Sequence, residues 1–375
     1  MKRSAAGAAL HLRAMLLFDE YLALKGFRRA YWLARLRLTE TPGLTAAVDA
    51  LVAADRSVDR RLEHGVPDFT LSNMRATEMA DMVGRCLGPW KIENAIGYGR
   101  MGAVYRARHV GGRFRHACAL KVVPIQSDET GVRDSLRESQ EQLLRLNHPG
   151  IVALLDSGIE DETTPWFAME LVRGEPINVY CRRKKLTVKS RVRLMMAVVD
   201  SVSYAHGRRV IHQDIRPSNL MVTEKGKVKV LGFGLAALLA VRLMPRHSMA
   251  HYGVTVSLAA PEQVRGGPVT PGIDIYALGL VLHLLLCGRH AFGRATLAIG
   301  YLGDMAPSYV PGQMSRVARV MRPDEAAMWS SSPGLVARSL TGRLDAIVAR
   351  CLEADPRGRY ATADELRENL ASWLH

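Results

Sequence analysis

The sequence predicts an α+β chain made of a helical segment, a small strand-rich lobe and a larger helical lobe. Three observations carry that assignment. Residues 1–88 place apolar side chains at three- and four-residue spacings. From Trp90 the pattern changes to short strand-like runs separated by turn residues. Beyond Pro176 the chain returns to helical patterning. The expected units are 1–88 for the helical segment and its linker, 89–172 for the strand-rich lobe with a following hinge, and 173–375 for the helical lobe.

In the first unit, FDEYLALKGFRRAYWLARL and LTAAVDALVAADRSVDRRLE both read as amphipathic helices, with Pro42-Gly43 between them. Gly65-Val66-Pro67 opens a less regular linker. This unit is a small module expected to dock on its neighbour, dimerise or recruit a partner. In the second unit, WKIENAIGYGRMGAVYRARHV and RHACALKVVPI read as three strands with a turn between the first two. SLRESQEQLLRLN reads as a helix, and IVALLDSGIE and PWFAMELV as further strands.

Composition narrows the function classes. The 375 residues are 48% hydrophobic, enough for a substantial core. No apolar run approaches the ~20 residues that cross a bilayer, and Leu278–Cys287 reads as a buried segment. The basic, short-apolar start of the chain resembles a signal peptide superficially, but Arg13 interrupts it and Asp19-Glu20 follow. Five cysteines without CxxC spacing indicate neither a disulfide framework nor a zinc site, so the expected compartment is the cytoplasm. The net charge of +15 is spread over dispersed arginines without aromatic interleaving, which reads as solvated basic surface and argues against a nucleic-acid partner.

Two motifs carry chemistry. Gly97-Tyr98-Gly99-Arg100-Met101-Gly102-Ala103-Val104 is a G-x-G-x-x-G-x-V turn whose glycines let backbone amides approach phosphates. Its strand-to-strand setting argues against a dinucleotide fingerprint, which needs strand-to-helix. Lys121, on the third strand, can meet α- and β-phosphates. The second motif, Val210-Ile211-His212-Gln213-Asp214-Ile215-Arg216-Pro217-Ser218-Asn219, sets a carboxylate and a carboxamide five residues apart. Asp214 is the candidate to accept or orient a hydroxyl proton, Arg216 to neutralise a transferring phosphoryl group and Asn219 to ligate magnesium. His212 is expected to be structural, packed beneath the loop.

With these motifs in order, residues 90–374 resemble the bacterial eukaryotic-like Ser/Thr protein kinases, and the resemblance implies their bilobal fold. VIHQDIRPSNLMV resembles the family catalytic loop and Ala260-Pro261-Glu262 the end of its activation segment. Asp274 matches the aspartate that braces the catalytic loop, and Arg359 the partner of Glu262. Met169 matches the gatekeeper, with Glu170, Leu171 and Val172 forming the hinge to adenine. Val104, Ala119 and Met221 match residues that sandwich the adenine ring. Leu143, Leu154, Phe233 and His212 match a hydrophobic column joining the lobes. Thr255 matches the threonine that contacts the catalytic aspartate. The resemblance implies ATP or another nucleotide, magnesium, and a protein substrate or partner, another kinase among them. It fixes no oligomeric state.

Three departures from the family pattern bear on activity. Gly232 stands where an aspartate would hold magnesium, so weakened metal binding is expected. Ser139 takes the position of the helix glutamate that should pair with Lys121, with Glu138 and Glu141 on either side. Gln213 replaces the arginine that reads a phosphorylated activation segment, and Val254 and Leu258 replace a glycine and a tyrosine of the substrate-docking region. The segment Leu235–Val241 is expected to form a short helix. The leading expectation is a degenerate member with weak or absent phosphotransfer, acting as a regulatory or scaffolding module. The alternative is an active Ser/Thr kinase with atypical metal coordination.

Overall fold

The computed structural model describes residues 17, 27–46, 48–49, 82–99, 102–111, 116–123, 143–144, 146–160, 164–233, 259–292 and 311–375. In the N-terminal unit, α1 (Phe27–Thr39) is followed by helical residues 42–46 and 48–49. Leu33, Leu36, Leu44 and Val48 are buried, as their helical spacing predicts. Arg37 ties the two stretches together with a 2.8 Å ion pair to Asp49.

Six strands form one antiparallel sheet: β1 (Cys86–Leu87), β2 (Trp90–Gly99), β3 (Gly102–His109), β4 (Cys118–Val122), β5 (Leu154–Glu160) and β6 (Thr164–Glu170), in the order β1-β2-β3-β4-β6-β5. Period-two alternation sorts its side chains onto two faces. Trp90, Ile92, Ala103, Tyr105, Ala107, Cys118, Leu120, Val122 and Trp166 build a core on one face. The other face carries Phe167 and Met169, which belong to the larger core shared with the helical lobe.

A second, three-stranded sheet, β7 (Gly174–Pro176), β8 (Leu220–Thr223) and β9 (Val228–Val230), lies within the part of the chain expected to be helical. Strands of three or four residues give too few positions for an alternating pattern to stand out.

The helical lobe comprises α2 (Ile177–Arg183), α3 (Val188–His206), α4 (Pro261–Val264), α5 (Pro271–Cys287), α6 (Met314–Arg319), α7 (Pro323–Ala326), α8 (Pro333–Leu340), α9 (Arg343–Cys351) and α10 (Ala363–Leu374). Thr187 caps α3 by accepting from the Ser190 amide, and Thr362 caps α10 through the Glu365 amide. Helix α5 is apolar nearly all round and is correspondingly buried on nearly all sides. Pro271 starts it and Gly288, left-handed at φ 73°, ends it. Arg191 reaches from α3 into the core and donates to the carbonyls of Leu186, Leu285, Cys181 and Met328, with its guanidinium 4.1 Å from the Trp329 ring centroid.

No helix among the described residues is long and apolar enough to cross a membrane.

Candidate functional site

The cleft face of the sheet follows from strand register. Val104 pairs with Lys121, Arg106 with Ala119, Ala119 with Met169, and Lys121 with Phe167. Directly opposed residues project to the same side. Val104, Ala119, Lys121 and Met169 therefore share the face opposite the Trp90–Tyr105 core.

The glycine turn sits at the end of the β2–β3 hairpin, where Gly97 pairs with Val104 and Gly99 with Gly102, after an irregularity between Ala95 and Gly97. Two of these glycines play different parts. A Cβ on Gly97 would meet no protein atom within 4 Å, so that glycine leaves open space. Gly102 is fixed by the fold: its φ is +105°, and a Cβ would lie 1.9 Å from the Val122 carbonyl oxygen.

Asp214 and Asn219, five residues apart, come together in one loop. Asn219 ends a short 3-10 turn, Pro217–Asn219, preceded by half-buried Arg216. Its carboxamide donates to both the backbone oxygen and Oδ2 of Asp214, each at 2.8 Å. That uses both amide hydrogens and leaves Oδ1 as a neutral acceptor.

Two hydrogen bonds orient the His212 ring. Its Nε2 lies 2.8 Å from the Leu231 carbonyl, which requires a donor, while Nδ1 accepts from the Asp214 amide at 3.2 Å. Its ring packs 4.6 Å from that of Phe233, so the residue supports the loop from below. Phe233, His212 and Leu143 are buried, and Leu154 packs against the core that holds Phe233 and Leu143.

Asp274 braces the loop from α5. It is fully buried and accepts from the amides of His212 (2.7 Å) and Gln213 (2.8 Å) and from His206 Nε2 (2.8 Å). Gln213 needs this hold, because its φ is +66°, a region that costs a non-glycine residue about 1–2 kcal/mol. Its carbonyl accepts from Gln263 Nε2 at 2.9 Å. Glu262, beside Gln263 in α4, is joined to Arg359 by two bonds of 2.6 and 2.8 Å.

Lys121 stands on this face of the sheet, and desolvation lowers its pKa below the usual lysine value, while the charge of Asp214 opposes that shift. Gly232 has a left-handed backbone at φ +79°, and a Cβ there would meet nothing within 4 Å. An aspartate fits both conditions, since Asp and Asn are the side chains that visit that region most readily.

At the end of β6 the Glu170 carboxylate lies 2.8 Å from Lys229 Nζ, and Val172, just beyond, packs against the main core. Met221 pairs with Lys229 across β8 and β9. This ion pair, the His206–Asp274 contact and the Gln263–Gln213 bond went unforeseen. Their partners lie 59, 68 and 50 residues apart, and no local spacing announces them. Thr255, Ser139, Glu138, Glu141, Val254, Leu258 and the stretch Leu235–Val241 lie outside the described residues.

A protein kinase domain model matches residues 90–370. Over 292 residues the chain is 30% identical to the serine/threonine-protein kinase PrkC of Bacillus subtilis, covering 76% of this chain and 40% of PrkC. It is 30% identical to the serine/threonine-protein kinase pkn3 of Myxococcus xanthus over 307 residues, covering 79% and 52% respectively. It is 29% identical to the probable serine/threonine-protein kinase PknB of Bifidobacterium longum over 300 residues, covering 77% and 40%. The matched region thus spans about two-fifths to one-half of these relatives.

Such kinases act on ATP with magnesium. Set against that requirement, the described part of the site offers the neutral Asn219 Oδ1, the Asp214 carboxylate whose Oδ2 accepts from Asn219 and, at Gly232, no side chain. Among the described residues no three His, Cys, Asp or Glu side chains gather where they could hold a metal ion.

Proposed function

The chain belongs to the protein kinase family, and we propose that it is a nucleotide-binding member with weak or absent phosphotransfer, acting as a regulatory or scaffolding module. The observation that carries this reading is Gly232. It occupies the position next to Phe233, where a Cβ would meet nothing within 4 Å, and supplies no carboxylate. Phosphoryl transfer relies on placed positive charge around the β- and γ-phosphates, and a metal held by a carboxylate is its largest source. Losing one such stabilising group costs on the order of 3 kcal/mol, roughly a hundredfold in rate. Gln213 adds to the case, because a neutral side chain there cannot pair with a phosphorylated activation segment. Control then rests with nucleotide or with a protein partner, which includes another kinase, in the cytoplasm.

One observation favours the alternative, an active kinase acting on protein hydroxyls. Asp214, Asn219, Asp274 and His212 keep a complete hydrogen-bonded loop, with Lys121 near enough to Asp214 to feel its charge. In that reading Asp214 orients the hydroxyl for in-line attack while Lys121 and Arg216 face the phosphates.

Transfer of labelled phosphate from ATP to the protein itself and to generic acceptors separates the two. Expected is wild-type transfer at least about a hundredfold below that of Gly232→Asp. Robust wild-type transfer that disappears in Asp214→Asn would overturn the reading.

A further inference from the structure

The absent carboxylate changes more than a rate. In a kinase cleft the metal-binding aspartate is itself an anion beside the triphosphate, tolerable because a divalent cation lies between them. Remove the carboxylate and the sign of the problem changes. The metal loses its anionic holder, and a metal-free triphosphate loses its nearest repulsive neighbour.

The described residues fit the second situation. Lys121 projects from β4 on the same face as Val104 and Ala119, half-buried, and makes no ion pair among the described residues. Among the described residues the acid acting on it is Asp214, whose Oδ2 also accepts from Asn219. Gly97 leaves unfilled space at the glycine turn. Gly232 leaves unfilled space beside the loop. No cluster of metal-binding side chains stands among the described residues.

We propose that this cleft takes a nucleoside triphosphate as the free polyanion, without a divalent cation, with Lys121 as its principal countercharge. The inference rests on the reading of the cleft as a nucleotide site, and it sets how that site is regulated. Occupancy follows nucleotide concentration and is indifferent to free magnesium. A bound phosphate adds a nearer anion to the field that Asp214 exerts on Lys121, so binding changes the electrostatic coupling between the strand and the Asp214 loop. A scaffold that signals through nucleotide needs such a coupling, and transfer chemistry does not enter.

The test is ATP binding to the full chain by calorimetry, in excess EDTA and in millimolar magnesium. Expected are dissociation constants within threefold of one another. Lys121→Met weakens the EDTA value at least tenfold, and Lys121→Arg stays within threefold, with circular dichroism and thermal melts verifying that both variants fold. Gly232→Asp weakens binding in EDTA and makes it tighten at least tenfold on adding magnesium.

Binding in wild type that is lost in EDTA and restored by magnesium overturns the inference while leaving impaired transfer to its own assay. Lys121→Met that folds and binds like wild type overturns it too. Absence of ATP binding under both conditions overturns it together with the nucleotide-site reading.

Discussion

Arg359→Met should be among the most damaging single substitutions in the helical lobe. The guanidinium is fully buried and the partner carboxylate of Glu262 only 13% exposed, with contacts at 2.6 and 2.8 Å. The same guanidinium donates to the carbonyls of Glu353 (2.8 Å), Gly272 (2.8 Å) and Ala354 (3.2 Å) and lies 4.8 Å from the Tyr276 ring centroid. Methionine keeps much of the volume and none of the donors. Breaking a buried pair from one side costs about 3–5 kcal/mol, because the remaining charge stays desolvated and unpaired. The orphaned carbonyls add to that, so about 4–5 kcal/mol is expected for the variant.

Urea denaturation of wild type, Arg359→Met, Glu262→Gln and the double variant measures it. In the double variant the stranded charge is gone, so its cost should fall short of the sum of the singles by at least about 1.5 kcal/mol. A cost below about 1 kcal/mol for Arg359→Met would refute the argument. So would strict additivity of the two singles, which would mean that the pair is a geometric neighbour relation without energetic content.

Three further outcomes follow from the same kind of reasoning. Arg191→Lys removes a fork that serves four backbone carbonyls, and an ammonium with three hydrogens cannot reach them all. It should cost about 2–3 kcal/mol in urea, each stranded carbonyl being worth roughly 1–3, and a midpoint within error of wild type would contradict this. Gly102→Ala forces a Cβ to 1.9 Å from the Val122 carbonyl and should cost more than ~2 kcal/mol. Gly232→Ala, left-handed but with open space, should cost only about 1–2, so equal thermal shifts for the two variants would sink the comparison. His283 lies between the carbonyls of Arg289 and Gly312, beside Cys287, and is influenced by Asp345. Burial outweighs these contacts and holds its pKa below the ordinary value near 6.5. The unfolded chain therefore binds the extra proton first, and stability falls as pH drops below about 6.5. His283→Gln should flatten the slope of unfolding free energy between pH 7 and 5.5, and an unchanged slope would dismiss the role.

What the sequence made legible divides by the range of the cause. The strand runs from Trp90, the glycine turn and the Asp214–Asn219 pair are local patterns, and the structure places them as their spacing implies. Asp274 and the Arg359–Glu262 pair were legible through resemblance, since a family motif carries long-range information that spacing does not. Arg191 was not legible at all. Its partners are backbone carbonyls of four separate segments, which any residue could supply, so nothing in their identity signals a buried cation. The short β7–β9 sheet escaped for a related reason, its strands being fixed by the neighbouring hinge and loop more than by their own three or four residues.

Gly232 separates stability from chemistry in this fold. The groups that hold the Asp214 loop are hydrogen-bonded to one another, and none of them lies within 4 Å of a Cβ at 232. A carboxylate there would alter the charge of the cleft while leaving the frame intact. Asp274 still fixes the amides of His212 and Gln213, and His212 still fixes Leu231, the residue before the glycine. The loop geometry, which favours the active reading, is held by contacts internal to the helical lobe and does not depend on a side chain at 232. Among the described residues the one acid acting on Lys121 is Asp214, on that same loop.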